Sequence, residues 1–501
     1  MDAIVDIECT LPGVKVHVTS SGQVYSCMLN QANIELNNNK FYAIQILTDS
    51  SSGFYLYSRY GRVGERGRPQ HTAYSTEYAA VREFQKRFRS KTGNPWTGDP
   101  SKFVKKSNKY MLMDTETPDI EVVEEGEADE PSKLDPRVND VVSMISDKKL
   151  MTTTMQKLDV DTKKLPLGKI SSLQIVLAHT QLKEIKRWVE ADRESLRAAG
   201  IDDPEKFLDI KLTGLSSNFW TLIPYSCGRN RPPVINTPEQ VEKYVDLLEV
   251  LENLEIAGTI FKRTNNLDDI YDGLKAEIAG VDKDSDEWNM IVKYMTNTHA
   301  PTHNYNLELL DAFRIDKSAH DEHDRDGYFG SLSDHRLLIH GSRMANYMGI
   351  LSEGLRIPKP TQVSNGSVLG LGAYFADSIS KSFNYCQPGE TGNVGFIVLC
   401  EVALGDNPHV VQHATFDQRP TAGYTSRIAL GNTTPDPGAS GEISTASTEK
   451  VLVPYGPLKD ATLPTPGGSG FRYNEFVVYD SRQYRFRYLL KLKSDGAVSC
   501  W

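Results

Sequence analysis

The sequence predicts a multidomain α+β protein, with a β-sheet-plus-helix module first, an all-α segment next and a β-rich domain last. Three observations carry that prediction. At 501 residues the chain is too long for one hydrophobic core. Its apolar spacing switches from strand-like to helical and back again. An acidic run over residues 111–135 divides the first part from the second.

The first part, residues 1–110, begins with weak alternation over residues 1–40. Phe41-Tyr-Ala-Ile-Gln-Ile-Leu and Gly53-Phe-Tyr-Leu-Tyr-Ser-Arg-Tyr then read as strands on either side of the turn-forming Asp49-Ser-Ser-Ser-Gly. A glycine-rich connection, Gly61-Arg-Val-Gly-Glu-Arg-Gly, follows. Tyr78, Val81, Phe84 and Phe88 recur at helical spacing, which predicts a helix from Thr76 to Arg89. From Phe54 to Tyr110 there are 13 Lys+Arg against 4 Asp+Glu, whereas Met111 to Asp135 holds 10 acids and one Lys. The net charge of −10 thus averages a basic module and an acidic, flexible linker.

Residues 136–262 turn helical. Val138, Val141, Val142 and Ile145 share one face, as do Leu173, Val176 and Leu177, and as do Val241, Val245, Leu248 and Leu251. Breakers at Pro166, Pro224, Pro232, Pro233 and Pro238 divide the run into about five or six helices. From residue 267 to 501 β-type runs return, among them Arg336-Leu-Leu-Ile, Val394-Gly-Phe-Ile-Val-Leu-Cys-Glu-Val and Tyr484-Arg-Phe-Arg-Tyr-Leu-Leu. All six cysteines stand alone, which argues against zinc fingers and against a secreted disulfide framework. No signal peptide and no membrane-length apolar window is visible, so a reducing intracellular compartment is expected and no membrane partner.

Three short motifs carry chemistry: Leu338-Ile-His340-Gly341-Ser342-Arg343, Gly372-Ala-Tyr374-Phe-Ala-Asp377 and Tyr473-Asn-Glu475-Phe. Each sits beside β-type residues, where function-bearing loops usually lie. Together they offer an imidazole, aromatic faces, a hydroxyl and a carboxylate. That set suits a dinucleotide whose leaving group is a flat cationic ring. Each alone has a bland reading: a structural histidine, core tyrosines, a solvated edge glutamate. Their combination outweighs it. His299 and His303 stand four apart like a zinc pair, but Pro301 interrupts them and no Glu follows His299, so no metal is expected. His320, His323 and His335 fall in a charged stretch and are expected to face water.

With Gly370-Leu-Gly-Ala-Tyr374-Phe-Ala-Asp-Ser-Ile-Ser-Lys381-Ser382-Phe-Asn-Tyr385-Cys added, the three motifs resemble the poly(ADP-ribose) polymerase family. Leu165-Pro-Leu-Gly-Lys-Ile-Ser and Phe219-Trp-Thr-Leu-Ile-Pro-Tyr resemble its helical regulatory domain. Tyr60-Gly-Arg62-Val-Gly and Lys91-Thr-Gly-Asn-Pro-Trp96 are similar to its WGR domain. The expected order is therefore WGR over 1–110, acidic linker over 111–135, helical regulatory domain over 136–262 and catalytic domain over 267–501.

The resemblance implies an enzyme that consumes NAD as substrate, releases nicotinamide and transfers ADP-ribose to proteins, itself included. It places His340 and Glu475 on ribose hydroxyls, with the carboxylate aiding charge development and acceptor activation. Gly341 would hold the nicotinamide amide through its backbone, Ser382 would add a hydroxyl, Tyr385 would stack on the ring and Tyr374 would flank it. Ser342, Arg356 and Lys381 complete the implied NAD site, and Arg356 to Gly372 resembles the loop that covers NAD. The resemblance further implies binding to double-stranded DNA breaks or nicks through Tyr60, Arg62, Lys91 and Trp96, a nuclear location and a role in DNA repair signalling. Tyr60 stands where the WGR tryptophan is expected, and Val368 where chain-elongating relatives often carry Met. Polymer formation is favoured; transfer of single ADP-ribose units and a catalytically silent DNA-end scaffold are the alternatives. The helical domain is expected to repress catalysis, with Glu249 and Asn253 towards the NAD cleft. Val498-Ser-Cys-Trp501 is either a docking tail for an accessory protein or a capping hydrophobe.

Overall fold

This computed structural model describes residues 4–498 apart from 52, 114–131, 159–169, 171, 262–263, 318–326, 361, 363–366, 416–421 and 446–447. Outside the described residues lie most of the acidic linker, the 165–169 motif, His320, His323 and Ser499–Trp501. Chain contacts define two compact units. The first comprises residues 1–124, 151–262 and 361–363, the second 125–150, 263–360 and 364–501.

In the first unit, strands Ser26–Asn33, Asn38–Thr48, Phe54–Arg62, Arg68–Tyr74 and Met111–Met113 form an antiparallel sheet, with the two-residue Lys15–Val16 beside Asn38–Thr48. The expected helix is present as Glu77–Thr92. Thr76 caps its start by accepting a bond from the Ala79 amide, and Gly93, at φ 74°, closes its end in a conformation that favours glycine. Ala80, Phe84 and Phe88 seal it onto Leu29, Ile44, Ile46 and Leu56 of the sheet. Two expectations change here. Residues 1–40 hold a full strand and the start of another, and Met111–Met113 pairs with Met28–Asn30 instead of opening the linker.

The weak alternation before residue 40 has a physical cause. Asn30 and Asn39 are buried strand residues whose side chains serve the helices of the same unit. The Asn30 amide donates to the carbonyls of Trp220 and Thr221 at 2.9 and 3.0 Å, capping the end of helix Pro204–Leu222. The hydroxyls of Thr221 and Ser217 accept from the Ala32 and Ile34 amides, each at 3.0 Å, and Asn39 donates to Tyr225 O.

Six helices lie within 136–262 among the described residues: Pro136–Ile145, Lys148–Lys157, Ser172–Val189, Arg193–Ala198, Pro204–Leu222 and Pro238–Phe261. In Ser172–Val189 the buried stripe is Ile175, Ala178, Leu182 and Ile185, with Gln174 and His179. Leu173 and Leu177 are 50% and 36% exposed, so the expected face is displaced by about one residue. The polar Gln174 and His179 on the inner side concealed the true stripe. Pro238–Phe261 buries Val241, Val245, Leu248 and Leu251 as expected, and also Leu247 and Val250, so it is apolar on most sides. The Asn253 amide donates to the Glu249 carbonyl within that helix.

The second unit is built on two sheets. Seven strands run in the order Gly441–Ile443, Val451–Val453, His335–Gly341, Val394–Ala403, Tyr484–Ser494, Leu307–Asp316 and Glu277–Gly280. Four more run Ala373–Phe375, Glu475–Val478, Ser426–Ala429 and His409–Val411. Helix Pro136–Ile145, the first of the expected regulatory span, packs in this unit. Arg137 pairs with Asp311 and donates to the Val281 carbonyl, Lys491 pairs with Asp140, and Val138, Val141, Val142 and Ile145 are buried. At the chain's end Val498 packs against the core.

His335 departs from expectation. Strand alternation turns it inward, where Nδ1 lies 2.8 Å from Glu401 and Nε2 lies 2.9 Å from the Leu332 carbonyl. Glu401 is fully buried and also accepts from Thr445 and from Arg487 Nε at 2.8 Å. Burial alone would raise its pKa, but the bond from His335 and the charge of Arg487 hold it down to about 2. Because the folded value is below the ordinary 4.5, this group stabilises the unit at neutral pH, and the contribution is lost as pH falls from about 4.5 towards 2. Glu401→Gln is expected to cost about 3 kcal/mol at pH 7, read by urea unfolding, and to flatten the acid limb of stability. An unchanged midpoint would contradict the role assigned to this network.

Candidate NAD and nucleic-acid sites

Strand register assembles the three motifs of the second unit. Tyr374 lies opposite Val477, and Val477 opposite Arg427. Side chains alternate along a strand, so Glu475, two residues before Val477, shares a face with Tyr374. The two sheets meet at Ile339 and Ala376, whose amides and carbonyls exchange bonds of 2.8 and 2.9 Å. His340 follows Ile339, and its Nδ1–H donates to the Tyr374 carbonyl at 2.9 Å. Burial pushes the imidazole pKa below the usual 6.5, while that carbonyl acts the other way. A neutral ring bonded through Nδ1 leaves Nε2 as an acceptor, suited to a ribose hydroxyl.

Glu475 begins the strand Glu475–Val478 and forms a 2.8 Å ion pair with Lys381. Lys381 also donates to the Asn474 carbonyl at 3.1 Å. Both side chains are largely but not fully covered, which leaves the carboxylate addressable. Neighbouring Asn474 is held by a network that the sequence reading did not assign. Its amide donates to buried Asp377 at 2.7 Å and to Thr434 at 2.8 Å, and its oxygen accepts from the Gly431 amide. Desolvation raises the Asp377 pKa. The Tyr374 hydroxyl accepts from the Leu369 amide at 3.1 Å and donates to the Gly370 carbonyl at 2.7 Å, and burial pushes its pKa well up.

Gly341 has little room. A Cβ there would lie 2.0 Å from the Ser382 carbonyl, so the His340–Gly341 backbone passes directly against helix Ile379–Asn384. Ser382 is buried and its hydroxyl donates to the Ile339 carbonyl at 3.2 Å. Tyr385, at the end of that helix, keeps 47% of its surface exposed, as a stacking face requires. Ser342 is buried and accepts from the Asn346 amide, a packing arrangement. Arg356 is exposed beside Leu355, whose amide and carbonyl are both bound by the Tyr484 hydroxyl. His299 and His303 pack on the Tyr305 ring, the latter stacked at 6.1 Å, and His303 meets the Asn384 amide.

The four residues expected on DNA separate into two pairs. Tyr60 stacks on Tyr42 at 5.9 Å, and the Lys91 ammonium sits 4.8 Å from the Tyr42 ring centre and 5.8 Å from that of Tyr110. These form one basic aromatic patch. Arg62, however, donates to Asn37 O and Oδ1 at 2.9 Å and to the carbonyls of Gly228 and Asn230, binding the loop after helix Pro204–Leu222. Trp96 is partly buried and packs against the core, edge-on to Phe84 and Phe88 at 5.0 Å beyond the end of Glu77–Thr92. Arg59, counted with the basic surface by composition, is buried against Asp6 at 2.8 Å.

The second unit thus brings together a histidine bonded to the Tyr374 carbonyl, a tethered tyrosine and a lysine-paired glutamate on the tyrosine's sheet face, and comparison with known proteins gives the class, the NAD-consuming ADP-ribosyltransferases. Residues 285–494 match the poly(ADP-ribose) polymerase catalytic domain, 132–275 the regulatory domain of the same polymerases and 25–103 the WGR domain. Human poly [ADP-ribose] polymerase 2 is 36% identical over 509 residues, covering 98% of this chain and 83% of the relative. Maize poly [ADP-ribose] polymerase 2 is 34% identical over 95% and 72%. Zebrafish poly [ADP-ribose] polymerase 1 is 34% identical over the whole of this chain, which spans 48% of that relative. The chain belongs to the poly(ADP-ribose) polymerase family and is an NAD ADP-ribosyltransferase.

Gly341→Ala is expected to displace His340 from Tyr374 and lower NAD turnover about 100-fold, measured as nicotinamide release. Wild-type turnover in a folded variant would show that the close approach is dispensable.

Proposed function

We propose that this chain polymerises ADP-ribose onto proteins, itself included, in response to DNA breaks in the nucleus, with His340, Tyr374 and Glu475 as its catalytic residues. In the reaction the C1′–N bond of NAD breaks, its electron pair leaves with nicotinamide, and C1′ gains oxocarbenium character. An acceptor oxygen then bonds to C1′ and gives up its proton. His340 Nε2 accepts from a ribose hydroxyl, Glu475 braces the ribose and draws the acceptor hydroxyl, and Lys381 sets the carboxylate's direction. Gly341 and Ser382 take the nicotinamide amide while Tyr385 stacks on the ring and Tyr374 flanks it. Arg356 lies at the start of the covering loop. The observation that carries this reading is the shared sheet face of Tyr374 and Glu475, bonded through Tyr374 to His340.

Labelled NAD, supplied with and without nicked duplex DNA, tests the assignment. Glu475→Gln is expected to lower turnover at least about 100-fold, and wild type is expected to give long products on denaturing gels. Single adducts at saturating NAD would instead favour mono-transfer, and no nicotinamide release at all would leave a DNA-end scaffold.

For DNA, Tyr60, backed by buried Tyr42, supplies stacking surface and Lys91 positive charge, while Arg62 acts as a tie to the 225–230 loop. Helical repression of catalysis is tested best with helix Pro136–Ile145 retained, since Arg137 and Val141 belong to the second unit. Deleting 151–262 is expected to make NAD consumption independent of DNA, with nicotinamide release by the second unit as the readout because the deletion also removes the partners of Asn30, Ala32, Ile34 and Asn39, whereas deletion from 137 strips the packing of Arg137 and Val141 as well. Persistent DNA dependence in the 151–262 deletion would refute the switch.

A further inference from the structure

Arg427 lies in the middle of an apolar strand, Ser426–Ala429, and is wholly buried. A guanidinium is costly to bury unless its donors are placed on acceptors. Here Nη1 donates to the Leu369 carbonyl at 2.8 Å and to the Thr415 hydroxyl at 2.6 Å, and Nε donates to His409 Nδ1 at 3.2 Å. His409 lies opposite Arg427 in the neighbouring strand and stacks on Tyr424 at 4.8 Å. Three bonds from two of its nitrogens thereby fix the guanidinium.

Leu369 is the consequential partner. It ends the turn Ser367–Leu369, which leads into the strand Ala373–Phe375. Its carbonyl accepts a second bond from the Tyr479 hydroxyl, and the Thr415 amide donates to the adjoining Val368 carbonyl at 3.0 Å. Its amide donates to the Tyr374 hydroxyl, which in turn donates to Gly370. The orientation of the Tyr374 phenol is therefore set by the backbone at 369–370, and that backbone is held jointly by Arg427, Tyr479 and the Thr415 amide.

We propose that Arg427 is a positioning residue for NAD cleavage: it pins the turn Ser367–Leu369 and, through Leu369, holds Tyr374 in place. The proposal rests on the role given above to Tyr374. The bonds traced from Arg427 end on the Tyr374 phenol, which flanks the nicotinamide ring, while the Tyr374 carbonyl that receives His340 is fixed by strand pairing, so loss of Arg427 loosens the hold on NAD more than it harms the bond-breaking step.

The full-length protein with nicked duplex DNA provides the test. Arg427→Met is expected to raise KM for NAD about tenfold with kcat changed less than about threefold. Arg427→Lys, which keeps a charged donor able to reach the Leu369 carbonyl, is expected to recover most of that loss, which a purely volume-filling role would not do. Hydrogen exchange in peptides spanning 367–375 reads the clamp without turnover and is expected to quicken in Arg427→Met. If Arg427→Met fails to fold, Thr415→Val removes one orienting acceptor and is expected to show the same KM rise and faster exchange. Wild-type KM and wild-type exchange in a folded variant would overturn the proposal, as would a fall in kcat at constant KM. If wild type releases no nicotinamide while Arg427→Met still exchanges faster than wild type over 367–375, the activity reading fails and the clamp stands.

Discussion

Two hydrogen bonds between Ile339 and Ala376 join the sheets of the catalytic unit, and the placement of every proposed catalytic group follows from them. Ile339 sits one residue before His340, and its carbonyl also receives the Ser382 hydroxyl. Ala376 sits two residues after Tyr374. One backbone junction therefore sets the imidazole against the Tyr374 carbonyl and brings the Ser382 helix against Gly341. The strand register beyond it, from Tyr374 to Val477, then decides which face Glu475 presents. Close backbone approach permits this and forbids a side chain at Gly341.

Charge is used inside this unit where bonds can satisfy it. Glu401 is surrounded by His335, Arg487 and Thr445, and burial favours its neutral form less than those partners favour its charge. Asp377 lacks a comparable partner set, so desolvation dominates and its pKa moves upward. The two carboxylates show how local donors, and not depth alone, decide protonation. The Lys381–Glu475 pair lies nearer the surface, where solvent moderates its strength and leaves the carboxylate available to substrate.

Much of this was legible in the sequence because the motifs at His340, Tyr374 and Glu475 are short and continuous, each beside a strand with a plain apolar pattern. The helix at Thr76–Arg89 was equally readable from Phe84 and Phe88. What escaped reading involved polar residues in apolar places. Asn30 and Asn39 spoil the alternation of their strands because their amides serve distant carbonyls. Gln174 and His179 shift the apparent face of Ser172–Val189 towards Leu173 and Leu177. His335 lies amid charges yet points inward to Glu401. Met111–Met113 is too short to stand out at the head of an acidic run, and no local signal says that Trp96 packs against a core while Tyr60 stacks at a patch.

The bonds from Asn30, Ala32, Ile34 and Asn39 to residues 217–225 bear on how the molecule melts. Three modules can be named along the chain, but the first sheet and the long helices share side-chain-to-backbone bonds that neither can replace from within itself. Separating them would strand buried amides and hydroxyls, so they come apart together. Calorimetry would then count two cooperative transitions, not three, and a mutation in the sheet would lower the melting temperature of the helices.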